Sequence, residues 1–201
     1  MDDTLPVVVI GAGPQGLAAA AHLIERGMPV VVLEAGATPA AAVAEWGHVR
    51  LFSDWSEIVD AAGARLLETT GWTAPSTGYP TGAQWISRYL APLADVLGDR
   101  VRYGARVIGV SRLGRDRLVD AGRGDQPFTV HVQPSEGGEY RLTARAVIDA
   151  SGTWGAPNPA GADGLPALGE RAAADRLTYR IPDFRDRSGF EGRRTVVVGS
   201  G

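Results

Sequence analysis

Three closely spaced glycines have the pattern of a site for a dinucleotide. Gly11, Gly13 and Gly16 lie between an apolar run and a stretch with helical periodicity. The first glycine of such a pattern permits a tight turn, the second lets the backbone approach a pyrophosphate, and the third allows close packing of helix on strand. The pyrophosphate would bind backbone N–H groups at the start of the helix, where the helix dipole favours an anion. Pro14 and Gln15, between the last two glycines, belong to the same candidate site.

An acidic residue follows at the end of the next apolar run. The carboxylate of Glu34 can accept hydrogen bonds from both hydroxyls of an adenosine ribose, and its charge would repel a 2′-phosphate. This favours FAD or NAD over NADP at this first site, with the neighbouring Ala35 as a further candidate contact. The alternative is a unit of the same fold that binds no nucleotide.

Residues 5–34 predict the βαβ unit that would position these groups. The unbroken apolar run at residues 7–10 is typical of a strand buried on both faces of a parallel sheet. A helix fits residues 14–26, with Gly27 closing it, and residues 30–33 form a second strand. A glycine pattern alone is weak evidence, but here the strand, helix and terminal acid accompany it.

Residues 35–80 are less regular. Residues 38–45 predict a short helix with Thr38 as its N-cap. Residues 75–82 indicate a loop. A capping box at residues 81–84 then predicts a helix that ends near Gly98.

From residue 101 the apolar period changes to two, which predicts strands. We expect a small antiparallel meander at about 101–144, built from residues 101–103, 106–112, 128–133 and 140–144. Residues 146–150 then indicate a return to the buried parallel sheet. The fold class is therefore α/β, a Rossmann-like FAD/NAD(P)-binding parallel sheet with a small antiparallel β-meander.

Three segments carry a resemblance to a known superfamily. The run from Val7 to Glu34 resembles the N-terminal FAD-binding unit of two-dinucleotide-binding flavoproteins, which include flavin-containing monooxygenases and thioredoxin-reductase-like enzymes. Residues 148–152, with prolines downstream, resemble that superfamily's "ATG" strand-end motif, with Asp149 and Ser151 as variations. Residues 190–201 resemble the linker and first strand of its NAD(P)H-binding domain. The monooxygenase fingerprint FxGxxxHxxxW is not found.

The resemblance implies an FAD-dependent NAD(P)H oxidoreductase, monooxygenase-like, with FAD as cofactor and NAD(P)H as co-substrate. It implies domains at 1–160 (FAD-binding), 161–194 (connector) and 195–201 (first strand of a truncated NAD(P)-binding domain). Because the second glycine pattern breaks off at Gly201, the chain is interpreted as the FAD-binding portion of a longer enzyme or as a truncated product. The alternatives are an FAD-binding module without turnover of its own and, less favoured, an NAD-dependent dehydrogenase.

The same resemblance extends the candidate site. Ser151 and Gly152 would make a second FAD contact, and Val107 would pair its backbone with the adenine edge, unless it is a simple strand residue. Arg50 could neutralise the diphosphate with its bidentate fork, or be solvated. Trp46 or Trp55 could lie against the flavin, or fill the core.

The composition excludes several kinds of chemistry. The chain has no Cys, and its 20 basic residues are all Arg, so thiolate, disulfide, iron–sulfur and lysine Schiff-base mechanisms are ruled out within it. A net charge of −3 gives no reason to expect a nucleic-acid or anionic-membrane partner. No apolar run approaches the about 18 residues of a membrane span. We expect a cytoplasmic protein with a small-molecule substrate.

Metal binding is also not expected. Three scattered histidines and no cysteine argue against a zinc site. His22 and His131 are interpreted as structural, and His48 as a loop histidine. The acidic residues at 54, 57 and 60 are interpreted as a solvated face.

Overall fold

The computed structural model describes residues 4–75, 77–116, 118–161 and 163–199. The chain divides into two compact units, Met1–Gly152 and Thr153–Gly201, and each is described separately. Among the described residues, no helix is both long and apolar enough to cross a membrane.

The first unit contains two sheets. Its strands are β1 (Val7–Ile10), β2 (Val30–Leu33), β3 (Val101–Arg102), β4 (Ala105–Arg112), β5 (Phe128–Pro134), β6 (Tyr140–Ala144) and β7 (Ala146–Asp149). The parallel sheet has the spatial order β3-β2-β1-β7, and β4, β5 and β6 form an antiparallel sheet in sequence order. The predicted fold class is confirmed.

Strand β3 lies in a different sheet from the one predicted. The sequence pattern places residues 101–103 at the start of the meander, whereas Val101 and Arg102 pair in parallel with Val32 and Leu33. The chain between β2 and β3 is helical, and a helical crossover returns a strand parallel to the first one. The meander therefore has three strands and begins at Ala105.

The parallel sheet is covered on both faces. The helices of the first unit are α1 (Pro14–Glu25), α2 (Ala41–Ala44), α3 (Trp55–Ile58), α4 (Ala61–Glu68), α5 (Gly82–Trp85) and α6 (Ala91–Leu97). On one face, Leu17 and Ala20 of α1 pack with Val7 and Val9 in the larger core. On the other face, the side chains of the meander pack against the sheet, with a buried cluster of Val8, Leu33, Ala105, Val130, Val132 and Ala144. Burial on both faces explains the unbroken apolar runs of β1 and β2.

Helix α2 is shorter than predicted and begins later. Ala40, not Thr38, is its N-cap, in a left-handed conformation with φ +53°. The Ala40 N–H donates to the Ala12 carbonyl at 2.9 Å, so a contact with the glycine turn sets the start of this helix. The predicted N-cap at Thr38 is therefore wrong, because a tertiary hydrogen bond overrides the local capping preference.

Helices α3 and α4 begin at acidic residues that the sequence pattern indicated only as a solvated face. Asp54 caps α3 in a capping box with Glu57, and Asp60 caps α4 by accepting from the Ala62 and Gly63 N–H groups, both at 2.9 Å. These acids are helix caps, and the D-x-x-E spacing at 54–57 is the signal that identifies the first of them.

The predicted helix after Thr81 is confirmed, with one irregular turn. The Thr81–Gln84 capping box forms, and the helix ends at Gly98. Between α5 and α6, residues Ile86–Leu90 form a π-helical turn. Pro92 has no N–H to donate to the Arg88 carbonyl one turn earlier, and the Trp72 indole N–H donates there instead at 2.8 Å.

The second unit contains little regular structure in its described residues. A 3₁₀ helix spans Arg171–Arg176. Ahead of it, Glu170 accepts hydrogen bonds from the Ala160 and Ala167 N–H groups and from the Tyr179 hydroxyl. Residues 195–199 form no strand, and Ser200 and Gly201 lie outside the described residues. The assignment of this segment to a second nucleotide-binding domain stays a prediction.

Candidate functional site

The carboxyl ends of β1 and β7 meet at Gly11. The Ala150 N–H donates to the Ile10 carbonyl at 2.9 Å, which continues the strand pairing to the edge of the sheet. Gly11 has φ +97°, and a Cβ at this position would lie 2.8 Å from the Ala150 carbonyl oxygen. Both the backbone conformation and the close approach therefore require glycine there.

Gly13 and Gly16 meet different surroundings. A Cβ at Gly16 would overlap the Gly11 carbonyl oxygen, so this glycine lets α1 start directly on the turn. A Cβ at Gly13 would meet nothing within 4 Å, so the space over this residue is open. The fold needs glycine at position 16, whereas at position 13 its absent side chain leaves room for a ligand to reach the backbone.

The start of α1 presents backbone donors to that open space. Gly13 is the N-cap and has no side chain to bond the first amides of the helix, and Pro14 takes the next position, where its missing N–H costs nothing. Gln15 is exposed. The first N–H groups of a helix have no acceptor within the helix itself, so an anion can satisfy them.

The Glu34 carboxylate is hydrogen-bonded to the turn. Its Oε2 accepts from the Ala12 N–H at 2.6 Å and its Oε1 accepts from the Gly36 N–H at 2.7 Å. A carboxylate has about four acceptor positions, so two stay available after these two bonds. Ala35, next in the chain, is exposed. The structure thus places the Glu34 carboxylate directly beside the glycine turn.

Strand β4 runs past the end of β2 with Val107 at its open edge. The Ala105 N–H donates to the Glu34 carbonyl at 2.8 Å, which shows that this residue directs its backbone groups away from β5. Residues two apart in a regular strand have the same orientation, and the β4–β5 register shifts only beyond Val107, between Val107 and Gly109, so the Val107 N–H also points away from β5. The Val107 side chain packs against the cluster under the meander.

Ser151 and Gly152 follow β7 beside Gly11. The Ser151 N–H and hydroxyl donate to Asp149 Oδ1 at 3.0 and 2.6 Å, and these two bonds lower the pKa of Asp149. Gly152 has φ +67°, in the left-handed region that favours glycine. The variant residues of the strand-end motif therefore make a turn of their own.

The segment around Arg50 is held to the loop before α5. The Arg50 guanidinium donates to the Tyr79 carbonyl at 2.5 Å, and Arg50 forms an isolated antiparallel bridge with Thr81. Among the described residues, no hydrogen bond or ion pair joins Arg50 to residues 11–16. The partners of the Arg50 side chain and backbone thus lie in the loop before α5.

The two tryptophans of this segment pack inward. Trp55 is 3% exposed in the main core, and the Trp46 ring lies against Gly82, where a Cβ would be 2.9 Å from it. The core-filling alternative therefore describes Trp55. The exposed aromatic of the segment is Phe52, at 96%, which sequence reasoning did not single out.

The remaining polar candidates have structural partners. His22 Nε2 and Asp60 Oδ2 lie 3.1 Å apart and join α1 to α4. Burial pushes the pKa of Asp60 upward, but hydrogen bonds from the Gly63 N–H and the His22 ring outweigh it and leave that pKa below its ordinary value. In the part of the chain that the structure describes, no group of three or more His, Asp or Glu side chains could hold a metal ion.

The sequence of the chain is similar to those of known oxidoreductases and monooxygenases. Residues 6–71 match the family model for FAD dependent oxidoreductases. The chain is 29% identical over 196 residues to the indole-3-pyruvate monooxygenase YUCCA1 of Oryza sativa subsp. japonica, covering 96% of this chain and 42% of that protein.

Solved structures of a flavin monooxygenase and of a disulfide reductase share the fold. A flavin monooxygenase from Stenotrophomonas maltophilia is 29% identical with a TM-score of 0.50, over 81% of this chain and 43% of that chain. The bacillithiol disulfide reductase Bdr from Bacillus cereus has a TM-score of 0.59 at 23% identity, over 79% of this chain and 42% of that chain, which is a likeness of fold alone. The chain thus spans less than half the length of these relatives.

Proposed function

We propose that this chain, whose residues 6–71 match the family model for FAD dependent oxidoreductases, binds FAD and is the FAD-binding region of a monooxygenase-like oxidoreductase. The observation that carries the proposal is the joining of two candidate elements in one site. The Glu34 carboxylate is bonded to Ala12 inside the glycine turn, directly beside the open backbone of Gly13.

The turn fits the diphosphate of FAD. The space over the Gly13 backbone is open, and the first N–H groups of α1 have no acceptor in the helix. The first turn of α1 also carries no acidic residue that would repel an anion. An anion there gains both hydrogen bonds and a favourable interaction with the helix dipole. Gly11, Gly13, Pro14, Gln15 and Gly16 would surround it.

The adenosine would lie toward Glu34. Two acceptor positions of the Glu34 carboxylate stay available for the ribose hydroxyls, with the exposed Ala35 alongside. The outward N–H of Val107 suits the adenine edge, which presents an acceptor to it. A 2′-phosphate would meet the charge of Glu34, which supports FAD over a 2′-phosphorylated nucleotide at this site.

Ser151, Gly152 and Arg50 are the remaining proposed FAD contacts. Ser151 and Gly152 lie at the β7 end beside Gly11, on the opposite side of β1 from Glu34, where the flavin half of a dinucleotide would extend. Arg50 is a proposed diphosphate ligand from the resemblance alone, and its guanidinium bonds to Tyr79. FAD supplies the redox chemistry when bound, and the protein's part is to bind and orient it.

The remaining functional assignments are also proposals. Reduction by NAD(P)H, a small-molecule substrate, a cytoplasmic location and the division at 160 and 194 follow from the resemblance and the composition. The relatives named above are more than twice as long as the aligned portion. This favours a second candidate, in which the 201-residue chain binds FAD without turnover of its own.

Titration of the purified 201-residue chain with FAD tests the proposal. We expect FAD to raise the unfolding temperature and to stay with the protein during gel filtration. FMN, which lacks the AMP half, should bind more weakly. Protein that stays colourless and shows no thermal shift with FAD would contradict the proposal. Steady consumption of NAD(P)H by the same protein would decide against the second candidate.

A further inference from the structure

Tyr103 lies in the turn that joins β3 to β4 across the end of β2. The backbones of Arg102, Gly104 and Ala105, which flank Tyr103, are hydrogen-bonded to residues 34–36. The three backbone hydrogen bonds are Glu34 N–H to Arg102 O at 2.9 Å, Ala105 N–H to Glu34 O at 2.8 Å and Gly104 N–H to Gly36 O at 2.9 Å. These bonds fix the backbone of Tyr103 beside the segment that carries Glu34.

The Tyr103 side chain is not committed to another role. It is 40% exposed, and its hydroxyl has no hydrogen-bond partner among the residues that the structure describes. Burial, and after it the negative charges of Asp95 and Glu34, raise the pKa of the Tyr103 phenol, which therefore stays protonated at neutral pH. A neutral aromatic donor thus lies within electrostatic range of the Glu34 carboxylate.

We propose that Tyr103 contacts the adenosine half of FAD, with its ring packing against the nucleoside that Glu34 and Val107 hold. This inference rests on the proposed FAD site and adds a residue to it. Tyr103 lies two residues before Ala105, whose N–H donates to the Glu34 carbonyl, and four residues before Val107 on β4.

The chemistry of adenosine matches what this turn presents. Every purine has two flat π-faces, and stacking on an aromatic side chain is favourable without a specific hydrogen bond. In the proposed site, Val107 contacts only the edge of the purine and Glu34 contacts only the ribose. The flat faces of the purine therefore still need a partner. Tyr103 is the aromatic residue of this turn, and its ring keeps an exposed surface to offer.

The test compares Tyr103→Ala and Tyr103→Phe with the wild-type 201-residue chain. FAD and ADP are titrated separately by calorimetry, and the unfolding temperature of each ligand-free protein is measured. Tyr179→Ala is the matched control, because Tyr179 is a comparably exposed tyrosine in the second unit.

Tyr103→Ala should weaken FAD and ADP binding by the same factor, at least about fivefold, with the ligand-free unfolding temperature unchanged. Tyr103→Phe should restore binding to within about twofold, because the ring is kept. Unchanged FAD binding by Tyr103→Ala would overturn the inference, as would a loss for FAD with none for ADP. Equal losses in affinity and in ligand-free stability would assign Tyr103 a purely structural role. Failure of the wild-type chain to bind either ligand would instead contradict the proposed function.

Discussion

The Glu34 carboxylate accepts a hydrogen bond from the Ala12 N–H at 2.6 Å. Ala12 is the residue between the first two glycines of the turn, so the acid is part of the scaffold that shapes the turn as well as a candidate ligand for ribose. The other carboxylate oxygen of Glu34 accepts a hydrogen bond from the Gly36 N–H, which fixes the carboxylate from the other side. The site is therefore held in place before any nucleotide binds.

Glu34→Gln should disturb both the turn and the binding of FAD. A glutamine has one acceptor oxygen, so its NH₂ group must face either the Ala12 N–H or the Gly36 N–H, and one part-buried hydrogen bond is lost. We expect a loss of about 1–3 kcal/mol in the free energy of unfolding and weaker FAD binding. Urea unfolding and FAD titration measure the two effects. Glu136→Gln, at an exposed turn, is the control and should change neither.

Gly16→Ala and Gly13→Ala should separate folding from binding. The added methyl overlaps the Gly11 carbonyl oxygen at position 16 and meets open space at position 13, where φ −77° suits alanine. Gly16→Ala should therefore lose about 1–3 kcal/mol of stability or fail to fold. Gly13→Ala should keep its unfolding temperature and lose affinity for FAD, because the methyl occupies the approach to the diphosphate. Thermal unfolding and FAD titration of the pair give the comparison; full FAD affinity in Gly13→Ala would be inconsistent with this site.

Asp60 should make folding depend on acid pH. Its folded-state pKa is lowered, so its ionised form contributes stability above the unfolded value of about 3.9, and that contribution is lost as pH falls through the folded value. Asp60→Asn keeps a good N-cap residue for α4 and removes this charge. Between about pH 5 and pH 2, the variant should lose less stability than the wild type in denaturant titrations. A slope equal to that of the wild type would contradict the assignment, and Asp99→Asn, at an exposed position, is the control.

Trp55 and Phe52 should differ sharply in their contribution to stability. Trp55→Ala removes a ring that is 3% exposed from the main core and should cost about 3–5 kcal/mol. Phe52→Ala removes a ring that is 96% exposed and should change the free energy of unfolding by less than about 0.5 kcal/mol. Chemical denaturation of both variants checks this; a large loss in Phe52→Ala would mean that its ring is covered in solution.

The βαβ unit could be predicted from the sequence because its signals are local. The apolar runs, the glycines and Gly27 lie within one stretch of chain, and β1, α1 and β2 follow them closely. The start of α2 could not be predicted, because the left-handed Ala40 is set by its bond to Ala12. Likewise, the apolar period of residues 101–103 is the same for a meander strand and for a short parallel strand.

The candidate site was predictable in its residue types but not in its contacts. The glycine spacing and the terminal acid identify Gly11, Gly13, Gly16 and Glu34 from the sequence alone. The hydrogen bonds from Glu34 to the turn, and the approach of residue 103 to the acid, depend on how separate strands meet. For Trp55 the residue type alone did not decide the role, because a tryptophan suits both a ligand contact and the core. Its burial in the structure assigns it to the core.

Hydrogen exchange of the backbone amides with and without FAD tests the central claim most directly, because it reports on the proposed diphosphate donors themselves. The account predicts that saturating FAD slows exchange at residues 13, 15 and 16 at the start of α1, and at residues 34–36, while the amides of residues 171–176 in the second unit are unaffected. Binding of FAD with no added protection at the start of α1 would contradict it.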